Sequence, residues 1–335
     1  MRILATGPSG PEHEFDLLSE AGHEVDIGRP LDQPGRRAYA EAELIDAARD
    51  THVILASDLE SITAPVLAAA RRLRLVIVPF IGVDKVDVAA ASRLGILVAN
   101  SPTPESFVAV AEAAIGLILM LLKRIKHNEA KLRGGEWAQR QDHGDSLFGK
   151  TVGIVGLGRV GSRVASRLAG WDVRIVAADP YVSAGHADGL GVALVDLDTL
   201  LAGSDMVSLH TTLTDETRRL IGEKQLRGMK PTALLINTAR GELVDEEALV
   251  RALNGRWIAG AALDTFACEP LPPASPLRSV DPERLILTPH NVGQSEASRR
   301  ANLRLALEQI LAAGRGEVPV HCVNPEAIPR WRGHQ

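Results

Sequence analysis

The sequence predicts an α/β protein built from two doubly wound domains. Short apolar runs alternate with helical stretches along most of the 335 residues, a pattern typical of parallel strands joined by helices. One of these runs leads into a G-x-G-x-x-G turn near the middle of the chain. A chain of this length, with ordinary apolar and charged fractions, can form two cores of normal size.

The first hundred residues alternate in this way and contain no glycine-rich phosphate turn. Their most informative segment is the loop 79–87, PFIGVDKVD, which leaves the carboxyl end of a predicted strand, where α/β sheets usually bind ligands. Backbone N–H groups around Ile81 and Gly82 can hold a carboxylate without a charged side chain. A plain connection between strand and helix is the alternative. The strands of this region are predicted at 3–6, 25–27, 53–56, 75–78 and 96–99.

A long helix is predicted over 105–128, after Pro102 and Pro104, where we place a hinge. Ala, Leu and Ile cover a broad face of this helix, so we expect burial on more than one side. A subunit interface and an ordinary core helix are both compatible with this pattern. The apolar run 113–122 within the helix is too short to span a bilayer.

The segment 151–179 predicts a nucleotide-binding βαβ unit. A buried strand leads into a turn with three glycines. Gly156 permits the tight turn and Gly158 lets backbone N–H groups approach a pyrophosphate. Gly161 lets the helix pack closely on the strand. A second apolar run ends at Asp179, whose carboxylate can accept both ribose hydroxyls of an adenosine and would repel a 2′-phosphate. The segment therefore favours NAD over NADP.

The sheet of this second domain continues with predicted strands at 206–209, 233–236 and 258–263. A helical pattern over 295–313 remains after that sheet is complete, and we expect this helix to pack on the first domain. The first domain is therefore predicted to comprise residues 1–101 and 291–335. The nucleotide-binding domain, 102–290, is then inserted within it.

Composition and spacing exclude several classes of partner. The formal net charge is −5 and no long basic run is present, so nucleic acid is not expected. The N-terminus enters a strand directly and resembles no signal peptide, which favours the cytoplasm. Cys268 and Cys322 are too few for a disulfide framework, and like the ten histidines they lack metal-site spacing. We expect a small-molecule partner, with no membrane and no metal.

Three charged residues follow predicted strands at the ligand-binding edge of the second sheet: Arg240, Glu269 and His290. Moving a hydride from a secondary alcohol to nicotinamide needs a base for the hydroxyl proton, and histidine titrates in the useful range. A neighbouring carboxylate stabilises the imidazolium, and an arginine can hold an acid's carboxylate and polarise the adjacent carbonyl. His290, Glu269 and Arg240 fit these three roles. Each residue alone also has an ordinary interpretation as a loop residue.

The most specific signal is the order of several long segments along nearly the whole chain: GILVANSP, VAEAAIGLIL, GKTVGIVGLGRVG with AADPY, LHTTLTDET, LLINTARGELVDEEAL, GAALDTFACEPLPPASPL and LTPHNVG. In this order they resemble the D-isomer-specific 2-hydroxyacid dehydrogenases. That family contains D-lactate, D-3-phosphoglycerate and D-glycerate dehydrogenases and the glyoxylate/hydroxypyruvate reductases.

The resemblance implies a flavodoxin-like substrate-binding domain, completed by the C-terminal helix, with an inserted Rossmann domain that binds NAD. It implies His290 as the acid/base, Glu269 as its partner, and Arg240 as the residue that orients the substrate's carboxylate and reactive oxygen. The implied substrate-binding residues are Phe80, Ile81, Gly82, Asn100 and Arg240. The implied cofactor-binding residues are Gly156, Gly158, Arg159, Val160, Gly161, Asp179, His210, Thr217, Thr238 and Asp264. The family is usually a homodimer, with the long helix contributing to the contact.

Two departures from the family pattern bear on the site. Phe80 stands where many relatives have a small residue, and Pro79 is also atypical, so familiar substrates cannot be transferred to this chain. Phosphoglycerate, hydroxypyruvate or glyoxylate, and a bulkier 2-oxo acid all remain open. Thr212 stands where many relatives have proline, in the loop on the adenosine side, and should leave the chemistry intact.

Related activities are alternatives to this interpretation. Formate dehydrogenases of the same superfamily pair the histidine with glutamine, so Glu269 argues against them. A phosphite-type dehydrogenase is a minor alternative, because Phe80 and Ile81 are not lysine. From a different class, a protein that senses NADH without turnover would be similar to the C-terminal-binding co-repressors, which keep the same three residues.

Overall fold

The computed structural model describes residues 1–7, 12–29 and 38–333. The chain divides into two compact units, one of residues 1–106 with 295–335 and one of residues 107–294. The crossings between the units lie at 106/107 and 294/295, whereas the sequence predicts the domain boundaries at 101/102 and 290/291. The last two residues of the predicted first domain lie outside the described residues.

The strands follow the predicted apolar runs closely. In chain order they are β1 (Arg2–Ala5), β2 (Glu24–Ile27), β3 (Val53–Leu55), β4 (Leu75–Ile77), β5 (Leu97–Ala99), β6 (Thr151–Val155), β7 (Arg174–Ala178), β8 (Ala193–Leu194), β9 (Met206–Leu209), β10 (Leu234–Asn237), β11 (Gly260–Leu263) and β12 (Leu285–Leu287).

Helices connect these strands. In chain order they are α1 (Asp16–Glu20), α2 (Glu41–Ala48), α3 (Ala64–Ala69), α4 (Val88–Leu94), α5 (Pro104–Leu122), α6 (Ile125–Arg133), α7 (Gly161–Leu168), α8 (Ala184–Gly189), α9 (Leu197–Gly203), α10 (Glu223–Gly228), α11 (Glu246–Asn254), α12 (Glu296–Gly314) and α13 (Ile328–Gly333).

The first unit is a parallel sheet between two layers of helices. Over the described residues the strand order is β2-β1-β3-β4-β5. Successive residues of β1 alternate between two buried clusters: Leu4 packs with α2, α3 and α4, whereas Ile3 and Ala5 pack with α1, α12 and α13. This strand order is that of the flavodoxin-like folds, which confirms the predicted class.

Helix α12 belongs to the first unit although it follows the second unit along the chain. Leu303, Ala306, Leu307 and Ile310 recur at helical spacing and are buried against the first sheet. Full burial of a leucine or isoleucine side chain contributes about 1.5–3 kcal/mol. The apolar face of α12 therefore supplies part of the core of the first unit.

The second unit is also a parallel sheet covered on both faces. Its strand order is β12-β11-β10-β9-β6-β7-β8, so the order reverses between β6 and β9. Helices α5, α7 and α8 pack on one face, and α9, α10 and α11 pack on the other. This is the Rossmann arrangement, in which ligands bind outside the carboxyl ends of the strands at the reversal.

Helix α5 is the one helix of the described chain that is long and apolar enough to cross a membrane by length and composition alone. The apolar run 113–122 is only part of this helix, which extends over 19 residues. Half of its apolar window is buried inside the structure. Ala114, Ile118 and Leu121 pack in one cluster with Val152 and Ile154 of β6. This packing is that of a core helix.

The prediction of a single long helix over 105–128 is wrong, because α5 ends at Leu122 and a second helix follows. Arg124, between the two helices, has left-handed backbone angles of φ 51° and ψ 41°. The Asp145 amide donates to the Leu122 carbonyl at 2.8 Å, so a later segment of the chain satisfies the end of α5. That contact is not visible in the local sequence pattern.

Candidate active site

The glycine turn lies at the reversal of the second sheet, between β6 and α7. Gly156 has a φ of +91°, and a Cβ on it would lie 2.8 Å from the carbonyl carbon of His210, which follows β9. A Cβ on Gly161 would lie 2.1 Å from the Gly156 carbonyl oxygen, so α7 approaches the strand as closely as glycine allows. A Cβ on Gly158 would meet no described atom within 4 Å. These features fit a loop that holds a pyrophosphate.

Arg159 and Val160 complete this turn. The Arg159 guanidinium lies over the ring of Phe107, 5.3 Å from its centroid. Val160 is the N-cap of α7 and already has helical backbone angles. The turn is therefore formed by main chain, while the arginine side chain stacks on a neighbouring helix.

Asp179 follows β7 and is tied to the glycine turn. Its Oδ2 accepts the Leu157 amide at 2.8 Å. Its Oδ1 accepts the amides of Tyr181 at 2.9 Å and Val182 at 3.2 Å. A half-buried carboxylate thus lies beside the turn, at the end of the second strand of the βαβ unit.

His210 and Thr217 lie in the loop that follows β9. Burial lowers the pKa of His210 to about 4, so this imidazole is neutral. Its Nε2 lies 2.9 Å from the Oγ of Ser208. Thr217 Oγ1 donates to the Thr212 carbonyl and accepts the Thr214 amide, both at 2.7 Å. Thr212 therefore takes part through its carbonyl, which proline would also supply.

Thr238 follows β10 and Asp264 follows β11, and both are buried. Among the described residues, Thr238 Oγ1 has no hydrogen-bond partner. Asp264 Oδ1 accepts bonds from Thr288 Oγ1 at 2.7 Å and from the Asn291 amide at 3.1 Å. Burial raises the pKa of Asp264. A buried hydroxyl without a protein partner is a group that a bound cofactor can satisfy, so the residues of this unit fit an NAD site.

The structure brings His290 and Glu269 together. His290 Nδ1 lies 2.8 Å from Glu269 Oε2, and Glu269 Oε1 accepts the Phe266 amide at 2.9 Å. The hydrogen bond with Glu269 raises the pKa of His290, although burial opposes this. Within the described chain, Nε2 of His290 has no hydrogen-bond partner. Nε2 is therefore the ring nitrogen that is open to a further partner.

Arg240 leaves the same sheet edge, just after β10. Its carbonyl accepts Nδ2 of Asn237 at 2.8 Å, and its Nη1 donates to the Ala239 carbonyl at 2.7 Å. The positive charge of Arg240 lowers the pKa of His290 and so opposes the effect of Glu269. The guanidinium is thus within electrostatic range of the imidazole.

In the first unit, the loop 79–87 follows β4 at the carboxyl edge of its sheet. Asn100 Nδ2 donates to the Ile81 carbonyl at 2.6 Å. The ring of Phe80 is partly buried and packs against the cluster beneath α2, α3 and α4. Phe80, Ile81 and Asn100 therefore lie together, with Gly82 next in the loop.

Glu246 and Thr288 are not predicted from the sequence, and they contact the loops that carry Glu269 and His290. Glu246 Oε1 accepts the Ala267 amide at 2.7 Å, and Thr288 binds the buried aspartate described above. The local signal of Glu246 is only that of an acidic residue in the first turn of a helix. Its contact joins segments that are distant in sequence.

Comparisons with known proteins agree on one family. The sequence profile described as "D-isomer specific 2-hydroxyacid dehydrogenase, NAD binding domain" matches residues 115–292. The chain is 37% identical over 322 residues to a glyoxylate reductase of Korarchaeum cryptofilum, covering 95% of this chain and 94% of that protein. It is 36% identical over 331 residues to a D-3-phosphoglycerate dehydrogenase of Methanocaldococcus jannaschii, covering 98% of this chain and 60% of that protein.

A solved structure shows the same likeness. The crystal structure of the TT0316 protein from Thermus thermophilus matches with a TM-score of 0.85 at 35% identity, covering 96% of this chain and 100% of that chain. This chain thus spans nearly all of the glyoxylate reductase and of the solved structure, but 60% of the phosphoglycerate dehydrogenase.

Proposed function

We propose that this chain, which belongs to the D-isomer-specific 2-hydroxyacid dehydrogenases, interconverts a D-2-hydroxy acid and its 2-oxo acid. The cofactor of this reaction is NAD. The observation that carries the proposal is the 2.8 Å hydrogen bond between His290 Nδ1 and Glu269 Oε2 at the edge of the NAD-binding sheet. NAD supplies or accepts the hydride when bound. The side chains of this edge handle the proton and the charge.

His290 is the acid/base of this proposal. In reduction, the imidazolium gives the proton on Nε2 to the oxygen at C2, which becomes the hydroxyl group. In oxidation, neutral Nε2 takes that proton back. Glu269 stabilises the imidazolium through Nδ1 and fixes the orientation of the ring. Arg240 stabilises negative charge that develops on the oxygen and binds the substrate's carboxylate.

The substrate-binding residues of the first unit act through main chain. We assign the amides around Ile81 and Gly82 to the substrate's carboxylate, with Asn100 holding the loop through the Ile81 carbonyl. The ring of Phe80 packs against the core of the first unit, next to these amides. This unit is therefore the substrate-binding domain of the proposal.

The substrate is proposed to be a 2-oxo acid without phosphate, such as glyoxylate or hydroxypyruvate. Recognition of a phosphate needs basic side chains that are available to it. Lys85, the basic residue of the loop 79–87, donates its Nζ to the Asp58 carbonyl at 2.6 Å. Because no other basic residue lies in this loop, we favour an unphosphorylated acid over 3-phosphohydroxypyruvate.

Steady-state assays with NADH and a panel of 2-oxo acids test the proposal. The panel contains glyoxylate, hydroxypyruvate, 3-phosphohydroxypyruvate and a branched 2-oxo acid, and we expect the first two to turn over fastest. If NADH binds and no acid is reduced, the chain is an NADH-sensing protein instead. Turnover of phosphite with NAD, and of no 2-oxo acid, would favour the phosphite-type alternative.

Glu269→Gln is expected to move the pH dependence of reduction to lower pH. His290 must be protonated to give its proton, so kcat/KM should be high below its raised pKa and fall as pH rises through that value. Glutamine keeps a hydrogen-bond acceptor but removes the negative charge, so the pKa of His290 falls and the declining limb moves with it. The measurement is kcat/KM against pH, with Glu247→Gln as the control. An unmoved limb would assign the titration to another group.

Asp179→Ser is expected to reduce the preference for NADH over NADPH by about 10- to 100-fold, since each tenfold change corresponds to about 1.4 kcal/mol. The carboxylate beside the glycine turn repels a 2′-phosphate, whereas serine removes that charge. The ratio of kcat/KM for the two cofactors measures the effect. Asp188→Ser, at an exposed position in α8, is the control. An unchanged ratio in the Asp179 variant would mean that another group selects the cofactor.

A cytoplasmic homodimer completes the proposal. Leu132, Trp137 and Phe148, in and after α6, are 61%, 80% and 74% exposed. Covering such side chains with a second copy removes apolar surface from water. The free thiols of Cys268 and Cys322 suit a reducing compartment. Light scattering on the purified protein tests the dimer, and a monomeric mass at micromolar concentration would contradict it.

A further inference from the structure

Two segments of the second unit lie in direct contact beside the proposed acid/base pair. One runs from Arg240 to Glu246 and the other from Phe266 to Glu269. A Cβ on Gly241 would lie 1.9 Å from the Phe266 carbonyl carbon and 2.3 Å from the Ala267 nitrogen. The two backbones therefore touch at Gly241, which sets Arg240 next to the loop that carries Glu269.

Glu246 makes a second attachment between these segments. It is the first residue of α11, after the N-cap Asp245, whose side chain accepts the Ala248 amide at 2.9 Å. Glu246 Oε1 accepts the Ala267 amide at 2.7 Å, a short bond of the kind that charged acceptors form. The preceding amide of the loop has a different partner, because the Phe266 amide donates to Glu269 itself.

The loop depends on such anchors because it is otherwise open to solvent. Ala267 and Cys268 are exposed, and Glu269 lies directly beyond them. Geometry at a catalytic pair has to hold within a fraction of an ångström, and a misplacement of about 1 Å can cost 100-fold in rate. A bond to Ala267 thus acts two residues away from the carboxylate that binds His290.

We infer that Glu246 is a positioning residue: its carboxylate holds the Ala267 amide and so fixes Glu269 against His290 Nδ1. The expected effect on kcat rests on the proposed function. The expected effect on the contact between Glu269 and His290 does not. Glu246 touches neither the imidazole nor the sheet edge where the substrate's oxygen would lie. It acts through the loop alone.

The surroundings of Glu246 support a specific role rather than a general one. Burial raises the pKa of Glu246, the hydrogen bond from the Ala267 amide lowers it, and the charges of Glu242 and Glu269 raise it further, with a raised pKa as the net result. Glu246 is partly buried and its carboxylate binds the loop, so its contact differs from that of an acid that faces only solvent at a helix end. Glu247, the next residue, is such an exposed acid in the same first turn, and it makes no hydrogen bond to the loop.

Three variants test the inference: Glu246→Ala, Glu246→Gln and Glu247→Ala. Glu246→Ala should lower kcat for 2-oxo acid reduction by about 10- to 100-fold, while the Kd for NADH stays within about twofold. Glu246→Gln keeps an oxygen that accepts the Ala267 amide, so its kcat should stay within about threefold of the parent. Glu247→Ala removes an equal charge from the same turn and should leave kcat unchanged.

The ionisation of His290, followed by NMR of its ring protons, gives a readout that needs no turnover. His290 is faced by Glu269, Asp264 and Arg240, which all remain in these variants. Glu246→Ala should lower the pKa of His290, because Glu269 is no longer held against Nδ1, and Glu246→Gln should not. If no 2-oxo acid is reduced by the parent protein, this titration still decides the inference, while the proposed function fails separately.

Two results would overturn the inference. Equal kcat and equal His290 pKa in Glu246→Ala and Glu247→Ala would mean that Glu246 acts only as a charge at the helix end. A loss in Glu246→Gln as large as that in Glu246→Ala would show that the charge, and not the bond to Ala267, matters. Thermal melting of each variant identifies any loss that comes from unfolding.

Discussion

Replacing His290 with glutamine is expected to lower kcat for 2-oxo acid reduction by about 10²- to 10⁴-fold, the range that general acid–base catalysis contributes. An amide cannot give up the proton that Nε2 of the imidazolium would donate. Glutamine can still donate to Glu269 Oε2, so the loop keeps its partner. The NADH Kd should be nearly unchanged, because the glycine turn and Asp179 make no contact with His290. Steady-state kinetics and NADH fluorescence measure the two effects.

His143→Gln is the matched control, since His143 is an exposed histidine of the same unit. It should keep both kcat and NADH affinity. Because His290 has a φ of +52°, His290→Asn is a second test, as asparagine adopts this left-handed conformation more readily than most residues. If either His290 variant retained near-normal kcat, the imidazole would have no part in proton transfer, and the mechanism proposed above would fail.

The parts of this structure that the sequence predicts have local causes. The apolar runs that became β6 and β9 are buried on both faces of a parallel sheet, where an unbroken run is the expected pattern. Gly156 and Gly161 are needed because of a positive φ and a close helix approach. Such requirements act within a few residues, so spacing alone reveals them.

The meeting of His290 with Glu269 is predicted only in part. Each residue follows a strand, and both strands end at the same edge, but the distance between the side chains depends on β11 and β12 being neighbours in the sheet. Strand β12 has three residues, so its place in the order cannot be derived from its own sequence. The chemistry of histidine and glutamate identifies their roles, whereas the sheet order determines their 2.8 Å contact.

The features that the sequence does not predict depend on tertiary contacts. The helix break at Arg124 is stabilised by the Asp145 amide, which reaches the end of α5 from beyond α6. Glu246 has the sequence signature of a helix-terminal acid, yet it binds Ala267, which lies in another loop. In both cases the partner is unknown until the chain is folded. Local pattern therefore identifies the residue type but not its contact.

The pair Gly161→Ala and Gly158→Ala is expected to separate folding of the second unit from NAD binding. A Cβ on Gly161 would lie 2.1 Å from the Gly156 carbonyl oxygen, so α7 would have to move away from β6. Overpacking of this kind costs about 1–3 kcal/mol, and we expect a lower Tm together with loss of NADH binding. Differential scanning fluorimetry and NADH titration measure these effects.

Gly158→Ala places a methyl group where no described atom lies within 4 Å, so its Tm should stay within about 2 °C of the parent. The same methyl group occupies the space through which the main chain would approach the pyrophosphate, and the NADH Kd should therefore rise about 10- to 100-fold. An unchanged Kd in Gly158→Ala would mean that the pyrophosphate lies elsewhere. An unchanged Tm in Gly161→Ala would mean that the turn can relax without loss, and then the glycine is kept for the ligand rather than for the fold.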